Sequence, residues 1–168
     1  MKPESMKKTI LHGVTLVLGV LVLGFLALPY FAGKEIQGLG SVPSQTGYDL
    51  LDFSNVTSDS PVFSAVSTLL LVIAACVVVL SAILALLNDF NLIKNETFKK
   101  VVNLTLLVSA VLVTIFAILN MIACPTYISD QVGMDTKFTA GWAGLVLNLV
   151  CGLGATAAVV LARDKKQN

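Results

Sequence analysis

Four apolar runs, at 9–32, 62–87, 101–124 and 139–162, contain no Asp, Glu, Lys or Arg. Each exceeds the roughly 20 residues that a helix needs to cross a hydrocarbon core about 30 Å thick. Backbone polar groups in lipid must be satisfied within the spanning segment, so such runs fold as helices. The rest of the composition agrees. Charged residues are 12% of the 168, where a soluble domain carries about a quarter. The expected fold is therefore an all-α membrane protein: one domain, an antiparallel bundle of four transmembrane helices with a long first extracellular loop.

The segments between the runs set the expected orientation. A basic leader at 1–8 precedes the first run, which is too long for the core of a cleaved secretory signal and reads as a signal anchor. Lys2, Lys7, Lys8, Lys94, Lys99, Lys100, Arg163, Lys165 and Lys166 fall in the leader, the link 88–100 and the tail 163–168. Only Lys34 and Lys137 fall in 33–61 and 125–138. Lys and Arg accumulate on the cytoplasmic side, so both termini and the middle link are expected in the cytoplasm of a plasma-membrane protein. The two outer segments hold Glu35, Asp49, Asp52, Asp59, Asp130 and Asp135, which makes the outer face acidic.

Intramembrane ionisable residues mark proton relays and ion paths, and their absence from the four runs argues against a proton-coupled transporter. His12, in the first turns of helix one, reads as an interfacial residue reaching the headgroups, with a titrating role as the alternative. Helix three is expected to stop at Pro125, which cannot continue the hydrogen-bond ladder.

Packing in lipid relies on small residues and buried hydrogen bonds. Gly141, Gly144, Asn148, Gly152 and Ala155 recur at three- and four-residue steps and form the expected docking face of helix four, with Ser109, Asn120 or a backbone carbonyl as partner of Asn148. Ser64, Ser67, Thr68, Ala75, Ala82 and Ala85 mark a similar side of helix two. Asn103, Ser109, Ala110, Ala117, Asn120 and Cys124 do so on helix three, and Gly13, Gly24 and Ala27 on helix one.

The segment 33–61 is the sizeable polar stretch. Gly33, Gly38, Gly40 and Pro43 make its first part turn-rich, whereas Tyr48, Asp49, Leu50, Leu51, Asp52 and Phe53 form an apolar cluster set between carboxylates. The cluster either folds back over the outer mouth of the bundle, as a single helical turn, or offers a partner-binding loop, since exposed apolar patches rimmed by charge mark interaction sites. The spacing of Asp49, Asp52 and Asp59 matches no calcium loop. Cys76, Cys124 and Cys151 supply no extracellular disulfide pair and read as packing residues. Trp142, Tyr30 and Tyr127 read as interfacial anchors. Asn55 heads an outward-facing sequon, and those at Asn95 and Asn103 lie on the cytoplasmic side or in the bundle.

Pro29 and Tyr30 at the end of the first run, the stretch Gly47, Tyr48, Asp49, Leu50 and Leu51 in the outer loop, and Ala140, Gly141 and Trp142 opening the last run together give a pattern. It resembles the small four-helix (tetraspan) membrane proteins of Gram-positive bacteria, mostly of uncharacterised function. That resemblance implies a bacterial plasma-membrane protein and no activity. The layout is also similar to that of claudins, but 33–61 lacks their Trp and paired Cys.

No motif for a cofactor, metal or nucleic acid is present, and one His with no intramembrane acid offers little to an enzyme. A non-enzymatic protein acting by protein–protein contact fits best, as an accessory or assembly subunit of a larger membrane complex. The alternative is a small oligomeric channel or permease lined by Asn148, Asn120 and Ser109. The expected partners are the bilayer and either another membrane protein or further copies of the chain.

Overall fold

The computed structural model describes residues 3–38, 40–52, 62–93, 95–130 and 137–163. Four long helices dominate it: α1 (Pro3–Phe25), α2 (Val62–Asp89), α3 (Glu96–Asp130) and α4 (Trp142–Ala162). All four are long and apolar enough to cross a membrane. They pack in a ring, with α1 and α3 each wedged between α2 and α4. Val22, Leu26, Leu71, Val78, Leu106, Val113 and Leu145 fill the centre. Val17, Val20, Leu80, Ile115, Val150 and Leu161 point outward, the inversion that a lipid solvent permits.

The chain is not all-α. Five short strands sit at one end of the helices: β1 (Pro29–Gly33), β2 (Glu35–Ile36), β3 (Gly40–Ser41), β4 (Gln45–Thr46) and β5 (Phe138–Ala140). β1 is the centre of an antiparallel three-stranded sheet in the order β4-β1-β5, and β2 pairs with β3 as a hairpin. Gly38, at φ +85°, turns that hairpin in a conformation that costs other residues dearly. Helix one thus ends seven residues before the apolar run does. Leu26, Ala27 and Leu28 donate to the carbonyls three residues back, which tightens the last turn, and Pro29 then disfavours helix at the residue before it.

Other boundaries differ from expectation too: α1 starts at Pro3, α3 at Glu96 and α4 at Trp142. α3 runs through Pro125 to Asp130. The ring costs one backbone bond, but Thr126 donates its hydroxyl to the Ile122 carbonyl at 2.7 Å beside it, the kind of side-chain support that lets proline persist in membrane helices. α2 extends past the apolar run to Asp89, which gives that carboxylate a helical position facing α1.

The face that α1 buries is His12, Thr15, Gly19 and Val22, continued by Leu26 in the turn that follows, a stripe at steps of three and four. Gly13 and Gly24 are not part of it: a Cβ at either would meet nothing within 4 Å. Gly19 is the close approach, where a Cβ would lie 3.1 Å from Val78 and Val79.

Candidate functional site

The strand end of the bundle is built from residues that look unremarkable in sequence. Tyr30 is fully buried in β1, so it is not an interfacial anchor. The Asn148 amide donates to its hydroxyl at 2.6 Å, tying the middle of α4 to the sheet. Asn148 therefore bonds neither Ser109 nor Asn120. Ser109 donates to the Leu106 carbonyl of its own helix. Asn120 Oδ1 accepts from Ser67 at 2.5 Å and Thr68 at 3.2 Å, which joins α3 to α2. Asn120 Nδ2 and Asn148 Oδ1 have no partner among the described residues.

The rest of the α4 stripe divides between two neighbours. Gly141 passes so close to β1 that a Cβ would overlap the Pro29 carbonyl, and its amide donates to the Tyr30 carbonyl at 2.9 Å. At Gly144 a Cβ would lie 3.1 Å from Leu28 Cβ and 3.2 Å from the Pro29 carbonyl. Gly152 instead meets α3, with Thr114 Cα 3.1 Å from its would-be Cβ. One turn further on, Thr156 pairs with Thr114 at 3.0 Å and donates to the Ala110 carbonyl. Ala155 is buried between these contacts.

Beside the sheet, Asp49–Leu51 forms one 3-10 turn. Asp49 accepts from the Thr46 amide at 2.7 Å and its hydroxyl at 2.8 Å, so its carboxylate is used to fix the turn. Leu50 is buried and packs with the α2 side of the core. Leu51 is half-buried. Tyr48 leans over α1, donating its hydroxyl to the Leu23 carbonyl at 2.7 Å, yet 47% of it stays exposed. Asp52 is exposed, and Phe53 lies outside the described residues, as do Asp59, the Asn55 sequon and Asp135. Of the six residues read as a partner-binding loop, Leu50 is thus a core residue and Asp49 a turn-former. Trp142, 54% exposed, adds an aromatic surface at the same end. Below it Phe31 holds Tyr127 and Phe138 in edge-on contact, with ring centroids 6.0 and 6.2 Å apart.

At the opposite end, His12 is not at the headgroups. It is 2% exposed, and its Nδ1 lies 2.7 Å from Asp89 Oδ2. This pair joins the start of α1 to the finish of α2. It was hidden in the sequence because Asp89 falls outside the apolar run. Among the described residues no group of three His, Cys, Asp or Glu side chains stands close enough to hold a metal ion.

Two other surfaces are notable. An open groove of about 410 Å³ between α2 and α3 is lined by residues including Leu70, Ile73, Val77, Leu104 and Phe116. Cys76 lies exposed on the outside of α2, whereas Cys124 and Cys151 are buried. No family model matches the chain, and no curated protein or solved structure does so.

Proposed function

We propose that this chain is a non-enzymatic, multi-pass plasma-membrane protein that acts by binding another membrane protein, as an accessory or assembly subunit. The observation that carries this reading is the braced strand end. A sheet, a 3-10 turn and two tyrosine hydroxyl contacts hold Tyr48, Asp52 and Trp142 as an exposed aromatic and acidic surface on a fixed frame. Aromatic residues are favoured in interfaces because they bury much area with few rotatable bonds.

An antiparallel arrangement with both termini cytoplasmic underlies this proposal. It draws support from the contact of His12 at the start of α1 with Asp89 at the end of α2, and from the lysine and arginine distribution. The likeness to small tetraspan proteins of Gram-positive bacteria suggests a bacterial host. Asn120, Ser109 and Asn148 each bond within the bundle, which counts against the channel alternative, although Asn120 Nδ2 and Asn148 Oδ1 have no partner among the described residues.

Capture from the native membrane tests the reading. A tag on the tail should bring down a stoichiometric second membrane protein in mild detergent. Replacing Tyr48 and Trp142 by Ala should release it while the bundle stays folded. Recovery of the chain alone would oppose the proposal.

A further inference from the structure

Beyond partner binding, the end of the bundle opposite the sheet carries a second feature. A cavity of about 520 Å³ opens there among α1, α3 and the end of α4. Lys8, Lys100 and Arg163 line it, over a floor that includes Leu106 and Val159. No carboxylate pairs with any of these three cations among the described residues. Among the described residues, Asp89 holds His12, which forms part of the wall, and Glu96 holds Lys99 at 2.7 Å. Asn103 also lines the cavity, and its buried Oδ1 has no partner. Turned about its last bond, the same side chain presents its NH₂ to the cavity.

Three cations around a pocket with an apolar floor suit an anionic ligand. The volume falls in the range of small-molecule sites rather than of a single ion. We infer that this cavity binds a phosphate-bearing anion, the phosphate held by Lys8, Lys100 and Arg163 and its apolar or glycerol part resting on Leu106 and Val159. Basic pockets between membrane helices commonly take lipid headgroups, and a soluble phosphate ester presents the same group.

The test uses the full chain in neutral detergent, with bound ligand read by native mass spectrometry. It is titrated with phosphatidylglycerol, phosphatidylcholine or glycerol 3-phosphate. Phosphatidylglycerol should bind one-to-one in preference to phosphatidylcholine. Lys100→Gln with Arg163→Gln should weaken that binding about 30-fold, whereas the charge-matched control, Lys7→Gln with Lys137→Gln, should not. If the double variant elutes unlike the wild type, Lys8→Gln and Lys100→Gln singly carry the comparison, each at about 5-fold. Binding of glycerol 3-phosphate with the same dependence on Lys100 and Arg163 assigns the site to a soluble ester instead of a lipid. Absence of binding by both anions, or equal losses in cavity and control variants, would overturn the inference.

Discussion

Asn148, in the middle of α4, donates its amide to the hydroxyl of Tyr30, 118 positions earlier in the chain, at 2.6 Å and out of contact with solvent. The bond couples the sheet to the helices, beside the Gly141 amide that donates to the Tyr30 carbonyl. Tyr30→Phe should cost about 1 kcal/mol, in keeping with interhelical bonds in membranes. In a cycle with Asn148→Leu the coupling should be about 0.6–1.7 kcal/mol. Equilibrium unfolding in mixed micelles measures it, and strict additivity would show the bond to be inconsequential.

The glycines of α1 and α4 separate close approach from mere smallness. Gly152→Leu should destabilise by roughly 1–3 kcal/mol through overpacking, because its first added atom meets the Thr114 backbone. Gly24→Leu should be nearly silent, since open space surrounds it. Comparing the two melting profiles is sufficient. Equal losses would mean that α1 packs through Gly24 as well.

The His12–Asp89 pair is a stabilising clasp only while both members are present. Asp89→Ala leaves the buried imidazole without its partner and should cost about 1–3 kcal/mol. The double change His12→Leu with Asp89→Leu should recover most of that, because replacing both partners of a buried hydrogen bond by apolar groups is nearly neutral. Denaturant titration of the single and double variants gives the answer, and a double variant as unstable as Asp89→Ala would contradict it.

At the turn, Leu50→Ala should cost roughly 2–5 kcal/mol as a core truncation. Tyr48→Phe should lose only the bond to Leu23, about 1 kcal/mol or less. If Leu50→Ala left stability unchanged while Tyr48→Phe did not, the inward and outward assignments of these residues would be reversed.

The four helices were legible because lipid imposes long uncharged runs, a signal much stronger than any soluble helix gives. The α1 stripe at His12, Thr15, Gly19, Val22 and Leu26 was also legible as a period, but attention to glycine alone picked Gly13 and Gly24 from the opposite side. The strands were not. They span two to five residues, and the pairing of Phe31 with Ala140 joins distant segments that carry no alternating pattern. Asn148 lay on a readable face, yet its partner Tyr30 resembled a membrane-interface aromatic, since composition does not tell a wet hydroxyl from a buried one. Asp89 reads as part of a link because the apolar run stops at Leu87, and only the geometry of α2 brings it to His12.

The most direct measurement is quantitative capture of the tagged chain from its native membrane, wild type beside Tyr48→Ala with Trp142→Ala, with companions weighed by mass spectrometry. Expected is one membrane protein recovered in fixed ratio with the wild type and lost from a variant that still elutes as a folded bundle. Recovery of the same companion by both, or of none by the wild type, would contradict a subunit that binds through its strand end.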